Sequence, residues 1–233
     1  MPRPDAEGRS QQEFRHIKRS VLEAVVAGRT AAAEACSNLV MVTSSIAGEG
    51  KTYVSLNLAQ SIARERDFSV LLVDADVAKR HVTSLLSVED AAGLTDCLVN
   101  PALDPEDLVL GTSIPGLHFL PAGNRTSAAP ELFSSQRMSG VVSQLGRADP
   151  LRVVLFDTSP LLLTSESPVL GRLVDQVVMV VCAESTQQPL VLDAIALLDR
   201  SKNIRTVLNQ SRLSGMPEYY YDYDYRPRSP ETP

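Results

Sequence analysis

A glycine-rich segment at residues 45–52, SIAGEGKT, has the composition and spacing of a phosphate-binding loop. Glycines let backbone N–H groups close around phosphate oxygens, a lysine reaches the β and γ phosphates, and a threonine hydroxyl binds Mg²⁺. Ser45 stands where the full pattern has its first glycine, and a glycine-rich turn that only caps a helix is the alternative reading. The start of the following helix adds partial positive charge. The predicted nucleotide contacts are Gly48, Glu49, Gly50, Lys51, Thr52 and Tyr53.

Three aspartates directly follow two other apolar runs, VLLV before Asp74 and Asp76, and VVLF before Asp157. In an open α/β sheet the ligand lies beyond the carboxyl ends of the strands, so we expect all three carboxylates near the nucleotide. We predict that Asp157, Asp76 and Thr52 organise Mg²⁺, and that Asp74 or Asp76 orients or deprotonates an acceptor hydroxyl. Alternatively, one of the Asp74 and Asp76 pair caps the next helix.

Asn209 ends the last strand-like run of the chain, in the segment VLNQ. A side-chain amide at this place can hydrogen-bond the edge of an adenine base. Asparagine is also a routine turn residue at a strand end. We therefore include Asn209 among the candidate nucleotide contacts and leave both interpretations open.

Apolar runs of strand length alternate with helix-like segments through most of the chain. These runs are continuous, as in strands that are buried on both faces of a parallel sheet. The pattern predicts an α/β fold with a doubly wound, mostly parallel sheet. The predicted strands are residues 39–42, 70–73, 117–120, 153–156, 177–181 and 204–208, and the predicted helices between them are residues 52–64, 129–145 and 189–200.

A further helix is predicted over residues 11–26, before the first strand. Its apolar residues Phe14, Ile17, Val21 and Val25 recur every three or four positions, and Gly28 is placed to cap it in the left-handed conformation. We therefore divide the chain into an N-terminal helix (residues 1–30), a P-loop domain (31–213) and a flexible tail (214–233).

Five of the six tyrosines lie close together in the tail, PEYYYDYDYRPRSPETP. This tail is rich in proline and charge, which predicts a mobile segment and not a packed one. A tyrosine hydroxyl is a weak nucleophile at neutral pH, but phosphoryl transfer mainly requires placement, charge neutralisation and a proton acceptor. The candidate phosphate acceptors are Tyr219, Tyr220, Tyr221, Tyr223 and Tyr225.

The amino-acid composition limits which binding partners and which cell compartment fit this protein. The 233 residues are 44% hydrophobic and 21% charged, which is ordinary for a folded protein. The net charge of −6 weighs against binding to nucleic acid. Three widely spaced cysteines form neither a disulfide framework nor a metal motif, and they suit a reducing compartment. Neither a membrane span nor a secretory signal is visible, so we expect a cytoplasmic protein.

Taken together, these features resemble the bacterial tyrosine autokinases of exopolysaccharide synthesis, most of all the separate cytoplasmic kinases of exosortase-associated (PEP-CTERM) loci. The resemblance rests on VTSSIAGEGKT, LLVDADVAKR, VVLFDTSPLLLTSES, YYYDYDY and the opening EFRHIKR. It implies a kinase that uses ATP and Mg²⁺ to phosphorylate its own C-terminal tyrosines and that forms a homo-oligomer. It also implies location at the inner face of the cell membrane, where the cytoplasmic segment of a membrane-bound polysaccharide co-polymerase activates it and a phosphotyrosine phosphatase reverses the modification.

Two motifs depart from the pattern of that family. The subunit-contact motif ExxRxxR is present as Glu13, His16 and Arg19, where histidine lacks the permanent charge and forked donors of the middle arginine. A solvated helix face is the alternative reading of these three residues. In addition, Lys79-Arg80 stands after the DAD segment, where the family often has Arg-Pro.

Two other functions fit parts of this pattern. Plasmid-partition and division-site ATPases share the fold and the aspartate motifs, but Ile46 stands at the position of their signature lysine. A catalytically weak scaffold that binds ATP and controls the polysaccharide machinery through assembly alone is the second alternative.

Overall fold

One seven-stranded sheet organises the chain. The computed structural model describes residues 4–31, 38–149, 151–199 and 202–211. The strands in chain order are β1 Leu39–Ser44, β2 Ser69–Asp74, β3 Leu110–Gly111, β4 Leu117–Leu120, β5 Arg152–Asp157, β6 Gln176–Cys182 and β7 Asn203–Asn209. Across the sheet their order is β3-β4-β2-β5-β1-β6-β7, and every pair is parallel except the short β3–β4 pair. The predicted doubly wound α/β fold and all six predicted strands are confirmed.

Eight α-helices cover the two faces of the sheet within the described residues. They are α1 Pro4–Ala31, α2 Lys51–Ala63, α3 His81–Leu85, α4 Leu94–Val99, α5 Ala129–Phe133, α6 Gln136–Ala148, α7 Glu166–Leu173 and α8 Gln188–Ala196. A 3₁₀ turn, Pro105–Leu108, precedes β3. The helices predicted at residues 52–64 and 189–200 correspond to α2 and α8.

Each central strand is buried on both faces, which explains its continuous apolar sequence. Successive side chains of a strand point to opposite faces, so Leu39 and Met41 of β1 join one core cluster and Val40 and Val42 join the other. Residues of α4 to α8 fill the first cluster, and residues of α1, α2 and α3 fill the second. The carboxyl ends of β1, β2 and β5 therefore lie side by side at one edge of a fully covered sheet.

The N-terminal helix packs as its periodicity predicts, but it is longer. Phe14, Val21 and Val25 are buried in the second core cluster, and Ile17 is half-buried against it. The prediction that Gly28 caps this helix is wrong, because α1 continues to Ala31. A glycine inside a helix costs only about 1 kcal/mol, which the burial of the apolar face outweighs.

The single helix predicted over residues 129–145 is also wrong, since the structure has two helices, α5 and α6, at this place. The break falls at Ser134 and Ser135. The Ser135 hydroxyl accepts a hydrogen bond from the Met138 N–H at 3.2 Å, which caps the start of α6. Sequence periodicity missed α3, α4 and α7 because each is short, with five to eight residues.

No helix within the described ranges is both long enough and apolar enough to span a bilayer. The five predicted acceptor tyrosines lie outside the described residues, and so do the first three residues of the chain. The division into residues 1–30, 31–213 and 214–233 stays a prediction.

Candidate nucleotide-binding and catalytic site

The predicted phosphate-binding loop joins β1 to α2 at the carboxyl edge of the sheet. Gly48 and Gly50 have φ angles of 85° and 90°, a left-handed conformation that favours glycine. A Cβ atom on Gly50 would lie 2.0 Å from the side-chain nitrogen of Asn209, whereas a Cβ on Gly48 would meet no atom within 4 Å. Gly50 therefore has no room for a side chain, while the space beside Gly48 is open.

Lys51 begins α2 and is nearly buried within the loop, with 8% of its surface exposed. Burial lowers the pKa of its ammonium group, while the negative charges of Asp157 and Asp76 oppose that effect. These electrostatic partners place Lys51 among the predicted carboxylates. The structure thus brings the lysine that follows β1 and the acids that follow β2 and β5 into one site.

Asp157, at the end of β5, accepts hydrogen bonds from two hydroxyl groups of α2. Thr52 Oγ1 donates to Oδ2 at 2.9 Å, and Ser55 Oγ donates to Oδ1 at 2.8 Å. Burial raises the pKa of Asp157 to about 7, although these two hydrogen bonds oppose the rise. Sequence reasoning missed Ser55, whose only signal is its position one helical turn after Thr52.

Asp74 lies beside Asp157, since the two residues are register partners in the β2–β5 pair. Its Oδ2 accepts hydrogen bonds from Thr83 N at 2.8 Å and Thr83 Oγ1 at 2.7 Å, so this carboxylate caps α3. Its Oδ1 is buried and has no hydrogen-bond partner among the described residues. Burial raises the pKa of Asp74, and the nearby Asp76 adds to the rise.

Asp76 occupies the loop after β2. Its Oδ1 accepts hydrogen bonds from Ser159 Oγ at 2.8 Å and from the backbone N–H of Lys79 at 3.3 Å. Ser159 follows β5, so it links the loops that carry Asp76 and Asp157. Ser159 is a further site residue that sequence reasoning missed, because a serine in a loop carries no pattern of its own.

Glu49 and Asn209 contact each other, although they are far apart in sequence. The Glu49 carboxylate is buried and accepts hydrogen bonds from Ile46 N (2.8 Å), Thr186 Oγ1 (2.5 Å) and Cys182 N (3.3 Å). Only the backbone of Glu49 is therefore left for a phosphate. The Asn209 amide nitrogen donates to the carbonyl oxygen of Glu49 at 2.8 Å, so this side chain holds the loop.

The predicted subunit-contact residues lie exposed on α1, and two of them adjoin the site. Glu13 and His16 line a cavity of about 430 Å³ together with Tyr53 and Asn209. Tyr53 is half-exposed and stands edge-on to the ring of Phe14, with 6.0 Å between the ring centroids.

Arg19 lies farther along α1 and pairs with Glu23 on the same helix at 2.9 Å. Of the two residues that replace the family's Arg-Pro, Lys79 is exposed, whereas Arg80 is buried and donates to the Glu89 carbonyl at 2.6 Å. Arg80 thus secures the start of α3.

The oxygen atoms at this edge of the sheet suit a hard cation. The Thr52 hydroxyl touches the Asp157 carboxylate, and Asp74 adds an unpartnered buried oxygen beside it. No group of three or more His, Cys, Asp or Glu side chains in the described ranges forms a complete metal cage. The Thr52 hydroxyl and the Asp157 carboxylate are oxygen donors of the kind that fits Mg²⁺, which uses one or two protein oxygens together with phosphates and water.

Comparisons with known proteins agree with this geometry. Residues 40–190 match the family described as CobQ/CobB/MinD/ParA nucleotide binding domain, and this range includes the P-loop and all three aspartates. The tyrosine-protein kinase YwqD of Bacillus subtilis (strain 168) is 32% identical over 184 residues, which cover 78% of this chain and 76% of YwqD. The tyrosine-protein kinase wzc of Salmonella typhi is 28% identical over 198 residues, which cover 83% of this chain but only 27% of wzc.

A solved structure is similar over a comparable length. The crystal structure of the VpsO kinase domain has a TM-score of 0.67 and 31% identity to this chain, and covers 84% of this chain and 98% of that one. Fold, P-loop and sequence therefore agree. The chain belongs to the CobQ/CobB/MinD/ParA family of nucleotide-binding domains and, within it, to the bacterial tyrosine-protein kinases.

Proposed function

We propose that this kinase transfers the γ-phosphoryl group of ATP to tyrosines of its own C-terminal tail, Tyr219, Tyr220, Tyr221, Tyr223 and Tyr225. The observation that carries the proposal is the contact between Thr52 and Asp157 at 2.9 Å, beside the buried Lys51 and in register with Asp74. This donor set suits a nucleotide with its Mg²⁺. The bound Mg²⁺–ATP would supply an activated phosphoryl group whose charge the metal partly neutralises.

Each residue of the site has a distinct proposed part. Lys51 neutralises charge on the β and γ phosphates, and Thr52 with Asp157 holds the cation, directly or through water. Asp76 also belongs to the proposed Mg²⁺ ligands, together with the backbone of Gly48, Glu49 and Gly50 as the phosphate cradle. Asn209 still has its amide oxygen for the amino group of adenine, and Tyr53 lies at the same side of the loop.

The two aspartates of the DAD segment take different proposed roles. Asp74 is fully buried and caps α3, so a substrate hydroxyl has no route to it. Asp76 lies in the following loop, and 4% of its surface is exposed. We infer that Asp76 orients the tyrosine hydroxyl and accepts its proton, while Asp74 supports the loop and α3.

The tail is long enough to reach such a site. Tyr219 is eight residues beyond Ser211, the last described residue, which allows at most about 28 Å. Adjacent strands are about 4.8 Å apart, and β2 lies four places from β7, so roughly 19 Å separates these strand ends. The tail of a second copy can also enter the site when the two copies bind side by side. We propose that Glu13, His16 and Arg19 contribute to the contact between copies in such a homo-oligomer.

The proposed role in the cell is the control of exopolysaccharide synthesis and export. The cytoplasmic segment of a membrane-bound polysaccharide co-polymerase is the proposed activator, which places the kinase at the inner face of the cell membrane. A phosphotyrosine phosphatase is the proposed opposing enzyme, and no nucleic-acid partner is proposed. The names of the related tyrosine-protein kinases support the kinase activity itself, and the acidic net charge of −6 weighs against a nucleic-acid partner.

Intact-mass spectrometry after incubation with Mg²⁺–ATP tests the proposal. We expect additions of up to five phosphates on the purified chain, with and without the activator segment compared side by side. Lys51→Met should abolish these additions, because the phosphates lose their buried cation. Removal of residues 216–233 should abolish them as well. Phosphate on the Lys51→Met chain, or on the shortened chain, would contradict self-phosphorylation of the tail and favour another acceptor or a scaffold role.

A further inference from the structure

The outer side of the P-loop is held by side chains that lie outside the phosphate-binding pattern. Gln210 Nε2 donates to the carbonyl oxygen of Gly48 at 2.9 Å, and Asn209 Nδ2 donates to the carbonyl oxygen of Glu49 at 2.8 Å. At the start of the loop, Ser44 Oγ donates to the carbonyl oxygen of Ile46 at 2.7 Å. Three carbonyl groups of the loop thus accept hydrogen bonds from side chains.

A fixed carbonyl also fixes the N–H group of the next residue. A trans peptide unit is planar, and its C=O and N–H bonds point in opposite directions. When Gln210 holds the Gly48 carbonyl, the N–H of Glu49 therefore points away from Gln210. In the same way, Asn209 directs the N–H of Gly50. The Gly50 carbonyl accepts the Val54 N–H at 3.0 Å, which directs the N–H of Lys51 along the start of α2.

The buried carboxylate of Glu49 secures the same part of the loop from another side. It accepts hydrogen bonds from Thr186 and from the backbone of Cys182, both located where β6 ends. Strands β6 and β7 carry none of the three aspartates, but their carboxyl ends support the loop. The loop needs this support, because two left-handed glycines leave its backbone with little stiffness of its own.

We propose that Gln210 and Asn209 are positioning residues that aim the backbone N–H groups of Glu49 and Gly50 at the phosphates. Gln210 has a φ angle of 58°, which is strained for a residue with a side chain. Its side-chain amide nevertheless donates a hydrogen bond to the Gly48 carbonyl. The inference concerns affinity for phosphate and does not depend on which hydroxyl accepts the phosphoryl group. Gln210 therefore acts through the loop, without a contact to the base.

The affinity for inorganic pyrophosphate distinguishes a residue that positions the P-loop from one that contacts adenine. Pyrophosphate has no base, so only the loss of a P-loop positioning residue should weaken its binding. Competition of Mg²⁺–pyrophosphate and of ADP against a fluorescent ADP analogue gives both affinities for each variant. We expect Gln210→Ala to weaken both ligands about tenfold, the size expected for one lost hydrogen bond that orients a phosphate donor. Alanine is preferred to glycine here, because glycine would also remove the backbone strain.

Two further variants complete the test. Gln210→Glu keeps the length of the side chain but faces the Gly48 carbonyl with an acceptor, so it should weaken pyrophosphate binding at least as much. Gln187→Ala removes an exposed glutamine near the same edge of the sheet and should leave both affinities unchanged. Thermal unfolding establishes that each variant is folded. Unchanged pyrophosphate affinity in either folded Gln210 variant overturns the proposal, including the case in which only ADP binding falls.

Discussion

Asp157 is a buried carboxylate whose neighbours do not fully compensate its charge. Two hydroxyl groups donate to it, but its pKa rises to about 7 from a usual value of 3.8. The folded state therefore holds a proton on this group more tightly than the unfolded state does. Between about pH 4 and pH 7 the free energy of unfolding consequently falls as the pH rises, and above pH 7 the folded protein carries the full cost of the buried charge.

Replacement of Asp157 by asparagine should remove this cost in the nucleotide-free protein. At pH 8 in EDTA, we expect the melting temperature of Asp157→Asn to exceed that of the unaltered chain by roughly 5 °C. Near pH 4 the difference should largely vanish, because the aspartate is then protonated in the folded state and about half protonated in the unfolded state. Differential scanning calorimetry at both pH values measures the difference, with the exposed Asp193→Asn as control. A constant difference at both pH values would contradict the argument.

Asp76 carries a separate prediction, because its proposed part is catalytic and not structural. Asp76→Asn should lower the rate of autophosphorylation by about 100-fold or more, the usual contribution of a general base. The affinity for ADP measured in EDTA should change much less, since Lys51 and the loop remain intact and the proposed metal contact of Asp76 plays no part without Mg²⁺. Quenched-flow kinetics with a fluorescent ADP titration measures both quantities. An equal loss of rate in Asp193→Asn, or no loss in Asp76→Asn, would argue against this assignment.

At the scale of elements, α1 is fastened to the sheet by polar contacts as well as by its apolar face. Arg205 of β7 donates to Ser20 Oγ at 2.6 Å and to Gln176 Oε1 at 2.7 Å, and Gln176 donates to the Val21 carbonyl at 3.3 Å. The ring of Phe14 in α1 also packs edge-on against the ring of Tyr53 at the start of α2. Through Phe14 the N-terminal helix therefore contacts a residue of the proposed nucleotide site.

Truncation of Phe14 should show how strongly this helix is held. Phe14→Ala should lower the free energy of unfolding by about 3 kcal/mol, the usual cost of a large aromatic side chain lost from a core. Phe14→Leu conserves most of the apolar volume, and its cost should stay below about 1.5 kcal/mol. Urea titrations followed by circular dichroism give both values. Equal stability of the alanine and leucine variants would mean that Phe14 adds little packing.

At the scale of the whole molecule, charge connects the tail to assembly. The chain has a net charge of −6, and the tyrosine cluster already includes Asp222 and Asp224. Each phosphotyrosine adds about −1.5 to −2, so five would add roughly −8 to −10 within seven residues. Subunits that dock such tails into adjacent sites should then repel one another.

We therefore expect Mg²⁺–ATP to reduce the molar mass of the assembly in solution, because the modified tails leave their neighbours. Light scattering coupled to gel filtration, before and after the reaction, measures the mass. The Lys51→Met chain is the matched control and should keep its mass in the presence of Mg²⁺–ATP. Added salt should weaken the effect, since it screens exposed charges beyond about 8–10 Å. An unchanged mass after full phosphorylation would contradict the expectation that phosphorylated tails make the subunits separate.

Several parts of the site were predictable because their signals are local. The P-loop is one continuous segment, and Asp74, Asp76 and Asp157 each follow a recognisable strand. Since parallel strands end at the same edge, topology alone brings them together. Ser55, Ser159, Thr186 and Gln210 lack such a signal, because a serine, threonine or glutamine in a helix or loop has the same appearance whether or not it touches the site.

The sequence alone determined the fold class, the six long strands and the identity of the phosphate-binding loop, since hydrophobic periodicity and glycine spacing are properties of neighbouring residues. Only the tertiary structure decided that α1 continues past Gly28, that Asp74 caps α3, and that Asn209 and Gln210 hold the P-loop. These three outcomes depend on contacts between residues far apart in the chain. Their energies come from burial and hydrogen bonds that exist only after the sheet has assembled.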